Sequence, residues 1–179
     1  MRILKYTIPV LLFFGSISFV AVPWLMPVDN ESSVKFTVKN FGVNTRGIFK
    51  GLQGKIKFDP HDLAGSFFDV NVDANSINTD INARDNHLRK EEYLNTAKYP
   101  KLSFTSRSIS KNANGYTVTG GLMIRGTTKE ISFPFTATPM GAGYVFKGKF
   151  SINRRDFKVG GSSLVLGDNV NVSLTVFAK

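Results

Sequence analysis

Arg84, Asp85 and His87 lie within one short stretch and are the side chains in this sequence best suited to chemistry. A histidine beside a carboxylate can act as a general base or hold a metal ion. Either role needs company: a nucleophile in reach, or further ligands. The chain of 179 residues has two histidines and no cysteine, and its carboxylates are scattered. The second histidine, His61, sits in Pro60-His61-Asp62, a turn that leaves it in water. No Gly-x-Ser-x-Gly elbow is present, and Gly160-Gly161-Ser162-Ser163 precedes no helical pattern that would make it a phosphate loop. Arg84 and Asp85 are therefore read as pairing with strand ends or capping a short helix. No catalytic residue, metal, nucleotide or cofactor is expected.

The elements that must position these residues are mostly strands. From Val34 onward apolar residues alternate with polar ones, which puts every second side chain on one face. Val34, Phe36 and Val38 form the first set, Ile56 and Phe58 the next, then Phe68, Val70 and Val72. The pattern resumes at Leu102 and Phe104, Val118 to Ile124, Ile131 to Phe135, Tyr144 to Ile152, and Val170 to Val176. Asn112-Ala113-Asn114-Gly115, Arg125-Gly126-Thr127-Thr128 and Met140-Gly141-Ala142-Gly143 have the composition of hairpin turns. Asn82 to Asn95 breaks the alternation and reads as a short helix, with Asp80 or Asn82 as its cap. Tyr99-Pro100 ends it, because a residue before proline avoids the helical region.

About eight one-sided strands must pack as two sheets or close on themselves. Glycines in or beside strands, among them Gly47, Gly51, Gly54, Gly120, Gly121 and Gly148, favour closure, since barrel corners need such bends. The expected fold is all-β: an antiparallel barrel with one short helix between strands.

The N-terminus reads as a separate segment. Arg2 and Lys5 precede an uncharged run from Tyr6 to Met26, the layout of an export signal. Ser16-Ile17-Ser18 offers a cleavage site, whereas the apolar run past it leaves an uncleaved inner-membrane anchor as the alternative. Residues 1–27 are assigned to this signal or anchor and 28–179 to the barrel domain. Export without cysteines points to a bacterial periplasm rather than a disulfide-rich secretory route. Beyond Arg2 and Lys5 there remain 21 basic against 13 acidic residues, a net charge of +8. This surplus is dispersed along the chain, so nucleic acid is not an expected partner; contact with a membrane surface is compatible with it. Exposed strand edges would allow a homodimer.

The sixteen phenylalanines fall largely on the alternating strands. They fit a solid aromatic core. They fit equally a barrel with room for one ligand, since about eight strands enclose a space of that size. A bound lipid would need little more than apolar length, at about 0.8 kcal/mol per buried methylene before entropic costs.

Several strings resemble the YceI-like polyisoprenoid-binding proteins. Asn75-Ser76-Ile77-Asn78-Thr79, Arg84-Asp85-Asn86-His87-Leu88, Tyr99-Pro100 and Phe104-Thr105-Ser106 are similar to the family's central signature. Ser33 to Lys39 and Gly54 to Pro60 resemble its first strands, and Gly120 to Lys129 and Asn153 to Phe157 its later ones. The resemblance implies a lipocalin-like periplasmic or secreted barrel whose elongated interior holds a polyprenyl or quinone-type lipid. The family often carries a histidine shortly after its first strand. Here Lys39-Asn40-Phe41-Gly42 stands there, so a head-group contact of that kind is not carried over.

The inward positions expected to face such a lipid are Phe36, Val38, Phe58, Phe68, Phe104, Phe133, Phe135, Phe146 and Phe150, with Leu88 and Tyr93 from the helical stretch. Two functions follow. One is a non-enzymatic carrier or reservoir for an isoprenoid. The other is an exported stress or interaction protein with a filled barrel and no cargo.

Overall fold

The computed structural model describes residues 22–179. Most of the expected export segment, residues 1–21, lies outside the described residues. Eight antiparallel strands follow one another around a closed barrel, and the last pairs with the first. They are β1 (Ser33–Asn40), β2 (Val43–Lys57), β3 (Phe67–Asn78), β4 (Lys101–Asn112), β5 (Gly115–Ile124), β6 (Thr127–Met140), β7 (Gly143–Asn153) and β8 (Leu166–Ala178). The sheet closes entirely within this span, so it leaves no free edge for a second copy to extend.

Turn chemistry closes the hairpins. Phe41-Gly42 and Arg125-Gly126 join β1 to β2 and β5 to β6 with both central residues at positive φ, from 49° to 75°, the geometry that matches strand twist. Strand β2 is the long bent member. Its pairing with β3 slips twice, between Ile48 and Lys50 and between Lys50 and Gln53. Gly54 is needed just beyond, where φ is +131° and an added Cβ would lie 2.1 Å from the Asp69 carbonyl oxygen. The backbone Leu52 N–H, in the slipped stretch, donates to the Asp29 carboxylate at 2.7 Å.

The helix is shorter than the sequence pattern predicts. It is α1, Asn82–Leu88, and neither Asp80 nor Asn82 caps it. Asp80 is in the left-handed region at φ 62°, which is incompatible with the extended N-cap conformation, and Ile81 takes that place without a side-chain bond. Beyond Leu88 the chain turns back to bury Leu94. Arg89 donates to the Asn75 and Ile77 carbonyl oxygens at 2.9 Å each and ties this turn to β3.

The two barrel ends differ. At one, Phe58 lies with ring centroids 5.1–6.3 Å from Phe68, Tyr116, Phe135, Tyr144 and Phe146, forming an aromatic plug. Residues Leu25 to Val28 cross this end. Leu25 exchanges backbone hydrogen bonds with Ile56 at 2.7 and 2.8 Å, Met26 does so with Lys179, and Val28 donates to the Phe177 carbonyl oxygen. Leu25 is buried in the main core. Part of the apolar run assigned from sequence to the N-terminal segment is thus structurally part of the barrel.

The other end carries α1, the turns after it and a short 3-10 helix, Arg154–Phe157. A second apolar cluster of Ile77, Leu94, Ile124 and Phe157 covers part of it.

Candidate functional site

Between the plug and the second cluster the barrel is hollow. The cavity has a volume of about 280 Å³, near the lower edge of the roughly 300–1,000 Å³ typical of small-molecule sites. Its walls are the inward faces of the strands, where alternation places apolar side chains, and its lining contains no Asp or Glu. Phe36, Phe104 and Phe150 line it and remain only half-buried. In a filled core such inward side chains would be covered by one another.

The rings are ordered by contact along the wall. Phe133 stacks on Phe150 with centroids 4.6 Å apart, Phe104 leans on Phe133 at 5.5 Å, and Phe36 meets Phe49 at 5.4 Å. Toward the plug, Phe68 lies 5.4 Å from both Phe135 and Phe146.

The positions expected from sequence fall as follows. Phe36, Val38, Phe68, Phe104, Phe133, Phe135, Phe146 and Phe150 line the cavity from the strands, and Leu88 and Tyr93 line it from α1 and the turn after it. Phe58 does not line it; its ring is the centre of the plug, where five other rings cover it. Its alternation with Lys57 and Asp59 identified its face correctly but carried no information about depth along the barrel axis.

Other lining residues escaped the sequence reading. Phe49 and Leu52 belong to β2, where bulges break the alternation, so period two does not register them. Leu94, Phe157 and Val159 come from irregular segments with no period at all. Only contact with Ile77, Ile124 and Leu88 brings them to the interior.

The polar triplet splits. Asp85 is 3% exposed and accepts from the Thr79 backbone N–H at 2.9 Å and from its hydroxyl at 2.5 Å. It fastens α1 to the end of β3. Arg84 donates through Nε to Thr79 Oγ1 at 2.7 Å and through Nη2 to the Thr79 carbonyl at 2.6 Å, and lines the cavity at its α1 end. His87 is exposed, its ring 4.8 Å from that of Tyr93. It makes no contact with Asp85 that would build a base, and among the described residues no three His, Cys, Asp or Glu side chains gather as a metal requires.

Arg154, which sequence reading left without a role, is 4% exposed. Its guanidinium donates to the Val159, Gly161, Leu166 and Gly167 carbonyl oxygens and to Asp168 at 2.9 Å. It thereby holds the whole β7–β8 connection against the cavity wall.

Comparison with known proteins agrees with this architecture. The model of the YceI-like domain matches residues 27–178. A UPF0312 protein of Yersinia enterocolitica is 33% identical over 156 residues, covering 83% of this chain and 81% of that one. The crystal structure of Burkholderia cenocepacia BcnA superposes with a TM-score of 0.78 at 28% identity, over 84% of this chain and 98% of the other. A polyisoprenoid binding domain from Saccharophagus degradans shares the fold, with a TM-score of 0.70 at 18% identity over 89% and 99% of the two chains. A barrel of this topology, matched by the family model over nearly all of the described chain, identifies the protein as a member of the YceI-like family.

Proposed function

We propose that this protein binds one long-chain isoprenoid lipid, of polyprenyl or quinone type, with its tail in the barrel, and serves as a periplasmic carrier or reservoir without catalysis. The observation that carries this reading is the hollow interior lined by half-buried Phe36, Phe104 and Phe150. Apolar side chains facing empty space gain from an apolar guest at about 0.8 kcal/mol for each methylene it buries. A branched, unsaturated chain suits walls of phenylalanine, and the likeness in fold to a polyisoprenoid binding domain supports the choice. The head group is assigned to the α1 end, where Arg84 of α1 and Arg154 are among the residues that line the cavity.

Export is part of the proposal. Residues upstream of Val22 act as the signal, and cleavage after Ser18 leaves Leu25 to Val28 in place at the plugged end. Mass analysis of the N-terminus of the protein from its own envelope checks this: a start upstream of Leu25 is expected.

The decisive experiment is native mass spectrometry of the protein purified from that envelope without detergent, followed by organic extraction. A stoichiometric isoprenoid is the expected result. An empty protein that takes up neither quinones nor polyprenols would overturn the carrier reading in favour of a surface-acting interaction protein.

A further inference from the structure

The open end of the barrel carries most of the exposed large apolar side chains. Phe41 is 74% exposed, Val43 68%, Ile81 51%, Val165 39%, and Leu164 is fully exposed. Three other such residues, Trp24, Met26 and Met140, lie at the plugged end. Four of the first group fall in two segments, Phe41 and Val43 in one and Leu164 and Val165 in the other, with Ile81 at the start of α1. The backbone Phe41 N–H donates to the Val165 carbonyl oxygen at 2.9 Å, and Asn40 stands opposite Leu166 in the β1–β8 pairing. The β1–β2 tip and the 160–166 loop therefore project side by side, and Asn40, Thr45 and Leu166 at their bases line the cavity.

Charge follows the same geography. Segments 39–46 and 158–166 contain Lys39, Arg46 and Lys158 and no acidic residue, and all three cations are exposed. Carboxylates at this end belong to Asp80 beside Ile81, to Asp156, to Asp168, which Arg154 and Arg155 engage, and to Glu91 and Glu92, whose segment is bound by the Gly160 N–H and by Arg125; none lies on the two projecting tips themselves. Apolar loop tips flanked by unpaired cations are the composition of a surface that enters an anionic lipid interface. From these observations we infer that this rim is a membrane-docking face, which seats the cavity mouth on an anionic bilayer so that a lipid tail passes between acyl chains and barrel without crossing water.

The inference rests on the lipid-binding reading and refines it by naming the surface through which cargo is exchanged. Trp24 packs edge-on to Phe67 with centroids 6.4 Å apart, at the plugged end and so on the side of the barrel opposite this rim.

The test uses residues 22–179, a span that closes its own sheet, and measures co-sedimentation with vesicles of phosphatidylethanolamine and phosphatidylglycerol against vesicles of phosphatidylcholine. Binding to the anionic vesicles, reduced by salt, is expected. Phe41→Asn with Leu164→Ser should weaken it at least about tenfold, since both side chains anchor the interface. Asparagine is chosen because it tolerates the left-handed backbone at Phe41. Lys39→Glu with Lys158→Glu should weaken it similarly, while Met140→Ser at the plugged end should leave it unchanged. Absence of binding to anionic vesicles, or wild-type binding by both rim variants, overturns the inference. So does a rim-dependent dimer in size-exclusion chromatography without vesicle binding, which would make a second copy the occupant. Isoprenoid content, read separately by extraction, distinguishes failure of the docking face from failure of the carrier reading: rim variants keep their cargo if only docking is lost.

Discussion

Asp85 directs its buried carboxylate to Thr79 and fastens α1 to the end of β3. Asp85→Ala removes the acceptor of a buried backbone N–H and of a buried hydroxyl, and leaving such groups unpaired costs about 1–3 kcal/mol. Urea unfolding should show a loss in that range with cargo still bound. His87→Ala touches only the exposed contact with Tyr93, and isoprenoid content and unfolding midpoint should both stay within error of wild type. Arg154 is the more demanding residue. Arg154→Met takes the shared donor from four carbonyl groups and leaves the partly exposed Asp168 carboxylate to Arg155, and several hydrogen bonds lost together should cost about 3 kcal/mol. Its importance has no signal in the sequence beyond an arginine pair, because a guanidinium becomes structural only where a connection happens to wrap around it.

At the scale of elements, two features carry the barrel's closure. The first is the bend in β2. Gly54→Ala would place Cβ against the Asp69 carbonyl oxygen at a φ that side chains rarely adopt, and strain of this kind should lower stability by about 3 kcal/mol, measurable by thermal unfolding. The second is the segment before β1. Leu25→Ala deletes a buried side chain from the main core at a cost of about 2–5 kcal/mol. Strands with clean alternation were legible from sequence, as were the hairpins at Asn112 to Gly115, Arg125 to Thr128 and Met140 to Gly143. The first half of β2 was not, because its bulges shift the period, and α1 was overestimated because Glu91, Glu92 and Tyr93 are compatible with a helix until burial of Leu94 turns the chain.

For the whole molecule the question is whether the interior is filled. The distinction has a direct test in Val172→Phe. Val172 lines the cavity, so added volume has somewhere to go. In a filled core the same change would cost about 1–3 kcal/mol. In this barrel the unfolding free energy should change by less than about 0.5 kcal/mol, with isoprenoid content falling, because the ring occupies space the lipid needs. The same hollow barrel has an end-to-end polarity: a plug and the N-terminal segment at one end, an apolar and basic rim at the other.

By itself the sequence determined what depends on local period and composition: an all-β chain, inward aromatic faces and glycine turns. Alternation tells which face a side chain takes, and that is a property of the strand alone. Depth along the axis is not. That Phe58 plugs one end while Phe150 lines an open space, that Leu94 and Phe157 reach the interior, and that Phe41 and Leu164 share a rim were decided only by closure, because they depend on strand stagger and on how the long connections fold over the barrel end.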